Sequence, residues 1–258
     1  MEDTSLKSNI TVIDSEKSLV TLVDSIASLA VDPPSLYINL EGISLSRHGS
    51  ISILSVHVAP TKETYLIDIH TLKGAAFSTT TSDGTSLKTI LETSTIPKVI
   101  FDIRNDSDAL FAHFEVSVDG IIDVQLMEME THWYLSHKVA PSLVSCIDTS
   151  SSISSKEKAE WHEAKQDGHR LLAPWCGGEF ELLNERPIKP EITRYCGFDV
   201  ELLVRLYSDY NSELQKSTKG RQWQDHIIEE TKRRIKLSQR PDNNTYSSSK
   251  VTGILAKR

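Results

Sequence analysis

The sequence predicts an α/β domain in which α-helices flank a mixed central β-sheet. Residues 36–41, 50–58 and 64–69 alternate apolar and polar side chains with a period of two, which is typical of strands. Turn residues separate these three segments, so we expect them to pair as an antiparallel meander. Residues 98–103 and 121–122 also read as strands, and each precedes a helical pattern. A meander followed by βα units and closing helices is typical of a layered α/β domain.

The helices are predicted from apolar residues at helical spacing. Ser15 or a neighbour is positioned to cap a first helix, whose apolar residues run from Leu19 to Leu29. The strongest helical pattern covers residues 191–214, and a second closing helix is expected at residues 221–237. Shorter helices are expected at residues 86–91, 106–114, 124–135 and 155–167. The serine-rich stretch at residues 145–155 is interpreted as a mobile loop.

Composition excludes several classes of protein. The chain has 258 residues, a net charge of −8 and 38% hydrophobic residues. Proteins that coat nucleic acid non-specifically are usually basic, so only a local patch could bind a nucleic acid here. The three cysteines match no zinc spacing and suit a reducing compartment. Because the polar N-terminus has no signal core, and no stretch approaches the roughly 20 apolar residues of a membrane helix, we expect a cytoplasmic or nuclear protein without membrane contact.

The first candidate site lies on the strand at residues 36–41. Side chains on a strand alternate between faces, so Asn39 and Glu41 point the same way. Two readings are open for this polar pair. The strand is either an edge strand with a wet face, or a strand that supplies metal ligands to an active site.

Two later segments carry further candidate residues. Asp106 follows the strand at residues 98–103, where it could be a helix N-cap or a carboxylate held at the end of a strand. Tyr195 and Asp199 are four residues apart and therefore share a helix face one turn apart. They could be a core tyrosine beside a surface aspartate, or a metal-bound carboxylate with a phenol that orients a water. Trp161 and Trp175 are interpreted as packing residues.

Taken together, these segments resemble the Tyr-type DEDD superfamily of 3′–5′ exonucleases, in the RNase D-like group. The order of motifs agrees: a strand with an acidic pair, then K-V-x-x-D-x-R-x-D-x-D-x-L from Lys98, then Y-x-x-x-D on a late helix. The resemblance runs from about Tyr37 to Tyr210. It also includes the stretches at residues 120–125 and 184–187. It implies an RNase H-like layered fold, with the exonuclease-like domain at residues 35–217.

The resemblance places the remaining residues on either side of that domain. Residues 1–34 would be an N-terminal extension of the domain, made of a strand and a helix. Residues 218–258 would form a C-terminal helix and a disordered tail beyond Ser238.

The resemblance also implies a chemistry. Members hydrolyse RNA or DNA from the 3′ end with two divalent cations, and carboxylate and water ligands suit Mg²⁺ or Mn²⁺. Carried over by position, Glu41, Asp106 and Asp199 would be metal ligands, and Tyr195 would position the attacking water. All four would be catalytic. Asn39 stands at the metal position where the family has an aspartate, so metal affinity and activity should be weakened.

The partner follows from the same resemblance. A single-stranded 3′ end of RNA or DNA would lie in the site. Arg47, His48 and Arg104 lie near the motifs in sequence and are the candidates for contact with nucleic-acid phosphates. The alternative is a catalytically degenerate protein on the same fold, which would bind nucleic acid or act as an adaptor for a protein partner.

Overall fold

The computed structural model describes residues 9–132 and 140–242 of the chain. The part of the predicted 124–135 helix beyond residue 132, and the predicted tail from residue 243 onwards, lie outside the described residues. Within them, six strands form one sheet: β1 (Asn9–Ile13), β2 (Leu36–Glu41), β3 (Ile53–Val58), β4 (Glu63–Asp68), β5 (Lys98–Ile100) and β6 (Ile121–Asp123).

The sheet is mixed, with the strand order β1-β4-β3-β2-β5-β6. β3 runs antiparallel to both β2 and β4, whereas the β1–β4, β2–β5 and β5–β6 pairs are parallel. The predicted meander is β2-β3-β4, and the parallel strands β5 and β6 are each followed by a helix. The predicted α/β fold class, with helices flanking a mixed sheet, is therefore confirmed.

Ten α-helices surround this sheet in the described part of the chain. They are α1 (Glu16–Ile26), α2 (Ile69–Leu72), α3 (Ala75–Ser78), α4 (Leu87–Glu92), α5 (Arg104–Phe114), α6 (Val124–Thr131), α7 (Leu143–Thr149), α8 (Ser155–Leu172), α9 (Pro190–Lys216) and α10 (Gly220–Ser238). Ser15 caps α1 by accepting a hydrogen bond from the Ser18 backbone, as its position predicts. Two short 3₁₀ turns, Pro174–Cys176 and Phe180–Asn184, connect α8 to α9.

The sheet separates two apolar layers. Leu36, Ile38 and Leu40 point from β2 into the layer that is filled by the helices from α1 to α5. Tyr37 points to the opposite layer, which contains buried residues of α6, α8 and α9. Because side chains on a strand alternate, Asn39 and Glu41 share the face of Tyr37 and look toward α8 and α9.

Three sequence-based predictions are corrected by the structure. The expected mobile loop at residues 145–155 is wrong for residues 145–149, which belong to α7: Ser142 caps this helix, and its Cys146 and Ile147 are buried. Residues 150–154 are in no helix or strand and connect α7 to α8. The strand predicted at residues 98–103 ends at Ile100, since the chain turns through a left-handed residue, Asp102, and α5 then begins. Trp161 is buried as expected, whereas Trp175 is 74% exposed and does not pack in the core.

Both ends of the described chain pack on the central sheet. β1 pairs along its whole length with β4, and α10 packs against α5, α9 and β6. The Arg234 guanidinium on α10 donates to Asp123 Oδ2 at 2.7 Å, and that carboxylate has no exposed surface. The boundaries predicted at residues 34 and 217 stay predictions. None of the helices in residues 9–132 and 140–242 is long and apolar enough to cross a bilayer.

Candidate functional site

The site is built on the C-terminal half of β2, in the middle of the sheet. β2 lies between β3 and β5, so the edge-strand interpretation of Asn39 and Glu41 is wrong. The Asn39 amide Nδ2 donates a hydrogen bond to Glu41 Oε1 at 3.2 Å, which ties the two side chains together on one face. Asn39 therefore acts here as a donor toward the neighbouring carboxylate, a role that an aspartate could not fill.

Asp106 joins this site because β5 is short. β5 pairs with β2 only at Leu36 and Tyr37 in the described part of the chain. Further along β2, the Leu40 backbone N–H donates to Asp106 Oδ1 at 3.2 Å. Asp106 is the third residue of α5 and is 6% exposed, so it is not the helix N-cap. Its carboxylate occupies the position beside β2 that a longer β5 would have filled.

The third part of the site lies on α9, where Tyr195 and Asp199 share one face. Asp199 is 4% exposed, so the interpretation as a surface aspartate is wrong. Its Oδ1 accepts a hydrogen bond from the Trp161 indole Nε1 at 2.8 Å, and its Oδ2 accepts one from the Lys165 ammonium group. Both donors come from α8, which packs alongside α9.

Lys165 also belongs to this cluster of side chains, and sequence reasoning missed it. Its Nζ lies 3.6 Å from the centroid of the Tyr195 ring and forms an ion pair with Asp199, while its side chain remains 21% exposed. A signal existed in the sequence, because Trp161, Lys165 and Gly168 follow each other at helical spacing on an otherwise charged helix. α8 is longer than the helix predicted at residues 155–167, and it has a buried stripe along its length.

A glycine on α8 allows the tyrosine to reach this position. A Cβ placed on Gly168 would come within 2.3 Å of Tyr195 Cδ2. Glycine in a helix interior costs about 1 kcal/mol relative to alanine. The cost is tolerated here because any side chain at residue 168 would push the Tyr195 ring, and with it α9, away from α8.

The clustering of charges shifts the proton affinities of the site. Burial raises the pKa of Glu41 to about 7, and Asp199 adds to this effect while Lys165 opposes it. Burial also raises the pKa of Asp106 well above its usual value, with a contribution from Asp102.

The pKa of Lys165 is raised as well: burial opposes the charge on its ammonium group, but the nearby Asp199, Tyr195 and Glu41 outweigh burial. The Glu41 charge and burial together raise the pKa of Tyr195. Lys165 is therefore a firmly held ammonium ion.

The three predicted phosphate-contacting residues have different surroundings. Arg47 donates through Nε to Asp108 Oδ1 at 2.7 Å and through Nη2 to the Ser238 carbonyl at 2.7 Å, which attaches the end of α10. Arg104 makes two hydrogen bonds of 2.5 Å to the carboxylate of Asp102. His48 is exposed. Arg47 and Arg104 are therefore held by carboxylates of the protein, and His48 is the one of these three residues that is exposed to solvent.

The donor atoms do not fit a pair of divalent cations in this arrangement. Within residues 9–132 and 140–242, no three His, Cys, Asp or Glu side chains come together as ligands of one metal ion. Each carboxylate already accepts from the protein: one oxygen of Glu41 from the Asn39 amide, one oxygen of Asp106 from a backbone N–H, and both oxygens of Asp199 from an indole and an ammonium group. The Lys165 ammonium group lies beside Asp199, where a metal ion bound to this carboxylate would have to lie.

Several solved structures share this architecture. RNase D of Trypanosoma brucei, in a complex with RNA U12, aligns with a TM-score of 0.69 and 16% identity, over 94% of this chain and 75% of that chain. Escherichia coli RNase D aligns with a TM-score of 0.56 and 14% identity, over 90% of this chain and 51% of that chain. The Nibbler EXO domain of Aedes aegypti aligns with a TM-score of 0.57 and 13% identity, over 85% of this chain and 95% of that chain. These likenesses establish the fold.

Comparison by sequence gives the family. No curated protein matches the chain significantly. The profile of the 3′–5′ exonuclease family matches residues 10–215, which include β1, the whole meander and the site residues on β2, α5 and α9. With this match and the RNase D-like fold, the chain belongs to the 3′–5′ exonuclease family.

Proposed function

We propose that this protein binds the 3′ end of single-stranded nucleic acid, RNA or DNA, and that its Mg²⁺- or Mn²⁺-dependent hydrolysis of the strand is weak or absent. The observation that carries the proposal is the ion pair between Lys165 and Asp199. In the same site, residue 39 is an asparagine, whereas the family has an aspartate at this position. The family membership supports nucleic acid as the partner.

We assign contact with the strand to exposed side chains outside the ion-paired site. His48 is exposed after the end of β2, and Trp175 is exposed in the segment that follows α8. The rings of His169 and Phe180 lie 5.6 Å and 6.1 Å from the Trp175 ring. Aromatic side chains of this kind stack on unpaired bases with little dependence on sequence. Because the net charge is −8, binding should depend on such local contacts more than on overall attraction.

A second candidate function is a working exonuclease. It is favoured by the presence of Glu41, Asp106, Tyr195 and Asp199 in the order that the family uses. Mg²⁺ or Mn²⁺ would then be held by Asn39 together with the three carboxylates, after Lys165 had moved away. Hard divalent cations accept carboxylate and amide oxygens as ligands.

A labelled-strand assay separates these functions. The full chain is titrated into a 5′-labelled single strand with a free 3′ hydroxyl, in EDTA and in Mn²⁺, with a blunt duplex as the control ligand. We expect a complex with the single strand under both conditions and little or no change in the length of the strand. Progressive shortening in Mn²⁺ that Asp106→Asn abolishes would establish the enzyme instead. Shortening that persists in Asp106→Asn would identify a contaminating nuclease. A chain that binds neither ligand would contradict the proposal and favour an adaptor with a protein partner.

A further inference from the structure

Lys165 sits in the site as a metal ion would, surrounded by groups that attract a cation. Its Nζ forms an ion pair with Asp199 Oδ2 and lies 3.6 Å from the centre of the Tyr195 ring, whose face attracts positive charge. The Trp161 ring centroid is 5.8 Å from the same Nζ. Asp199 is 4% exposed. A buried carboxylate of this kind needs a positive partner or hydrogen bonds, and Lys165 supplies both.

We propose that Lys165 is a built-in substitute for a metal ion: its ammonium group neutralises Asp199 beside Glu41, so that the native chain holds this site together without a divalent cation. The inference deepens the proposed function, since it concerns the same site and explains why hydrolysis would be weak. It predicts that metal binding is blocked by a lysine side chain and is also weakened by Asn39.

The balance of charge supports this substitution. Two divalent cations are matched by four carboxylates, and the site has three, because residue 39 is asparagine. The Lys165 ammonium cancels one more negative charge, so that the ionised site can balance a single divalent ion at most. Asn39 adds a hydrogen-bond donor toward Glu41 at 3.2 Å, which also stabilises that carboxylate without a metal. Lys165 and Asn39 therefore act in the same direction.

The packing of α8 holds the ammonium group in place. Trp161 lies one turn before Lys165 and donates to the other oxygen of the same aspartate, at 2.8 Å. Gly168 lies almost one turn after it and leaves room for the Tyr195 ring below the ammonium group. Trp161 and Gly168 are both buried, so the helix cannot rotate Lys165 outward without exposing them. α8 therefore holds the Lys165 ammonium group in a fixed position, as ligands hold a metal ion.

The test is a comparison of metal binding by four full-length proteins without nucleic acid. They are the native chain, Asn39→Asp, the double variant Asn39→Asp with Lys165→Met, and a control, Lys17→Met, which removes an exposed lysine from α1. Methionine keeps the unbranched stem of lysine and removes the charge. Calorimetric titration with Mn²⁺ gives the affinity. We expect Asn39→Asp to bind Mn²⁺ more tightly than the native chain, and the double variant to bind it at least about tenfold more tightly than Asn39→Asp, because each change reverses one charge defect. Lys17→Met should match the native chain.

A melting experiment on the native chain keeps the test decisive if the double variant folds poorly. A ligand that binds only the folded state raises the melting temperature, and the rise grows with the logarithm of the ligand concentration relative to its dissociation constant. We expect millimolar Mn²⁺ to leave the melting temperature of the native chain unchanged. A rise of more than about 3 °C would overturn the proposal, as would a folded double variant that binds Mn²⁺ no more tightly than Asn39→Asp. Neither readout uses a nucleic acid, so a failure of strand binding in the labelled-strand assay would be a separate result.

Discussion

Replacing Glu41 by glutamine should stabilise the metal-free protein, and the gain should depend on pH. Burial raises the pKa of Glu41 from 4.5 to about 7, so the folded state binds a proton more tightly than the unfolded chain does. Between these two values, stability must therefore fall as the pH rises, because the folded state is forced to release a proton that the unfolded chain has already lost. Above about pH 7 this cost is complete, and below pH 4.5 it is absent.

The magnitude follows from the gap between the two pKa values. One pKa unit corresponds to about 1.4 kcal/mol, so the gap represents a cost of about 3 kcal/mol at pH 8. Glutamine has the same shape, keeps an oxygen that can accept from Asn39, and carries no charge to bury. Glu41→Gln should therefore exceed the native chain in free energy of unfolding by about 2 to 3 kcal/mol at pH 8. At pH 4.5 the two proteins should be nearly equal.

Urea denaturation in EDTA at a series of pH values between 4.5 and 8 measures this difference. Glu229→Gln removes a glutamate side chain that is 73% exposed and serves as the matched control, with the same small effect at every pH. A Glu41→Gln protein that is less stable than the native chain at pH 8 would refute the reasoning. The Glu41 carboxylate would then be a stabilising partner of Lys165 rather than a buried charge that the fold tolerates.

Two further perturbations test parts of the fold outside the candidate site. His57 is 4% exposed and contacts Thr64, and burial lowers the pKa of its ring to about 4, so this residue by itself should lower the free energy of unfolding by about 3 kcal/mol as the pH falls from 6.5 to 4, opposite in sign to the contribution of Glu41. The difference in free energy of unfolding between His57→Leu and the native chain should therefore shift by about 3 kcal/mol in favour of the variant over this pH range, and a difference that is constant with pH would contradict the assignment. Arg234→Met leaves the buried carboxylate of Asp123 without its guanidinium and should cost about 3 kcal/mol in free energy of unfolding. The neighbouring Arg233→Met, which breaks an exposed pair, should cost less than about 1 kcal/mol, and equal losses would contradict the assigned role of Arg234.

The sequence alone determined the parts of this protein that depend on local pattern. Alternation along residues 36–41 places Asn39 and Glu41 on one strand face, and β2 has these bounds in the structure. A spacing of four residues places Tyr195 and Asp199 on one face of α9. The order of these motifs along the chain is enough to indicate the family. These properties follow from strand and helix periodicity, which the chain carries without reference to any distant residue.

Only the tertiary structure decided what the site residues contact. Asp106 accepts from the Leu40 backbone because β5 stops pairing after Tyr37, and the length of a neighbouring strand is not written in the motif around Asp106. Lys165 approaches Asp199 because α8 packs along α9, although the two residues are 34 positions apart. Such contacts depend on how separate elements pack against each other, and local propensity carries little information about that.

The same reason explains the arginines of the region. Their positions near the motifs suggested contact with phosphates, but Arg47 reaches Asp108 and the end of α10, 191 residues away at Ser238. A guanidinium pairs with whichever carboxylate or carbonyl the fold brings within reach, since its charge is always present. Residue type and spacing therefore determined which groups would gather at the end of β2. The packing of α8 against α9 determined that a lysine, rather than an open metal position, faces Asp199.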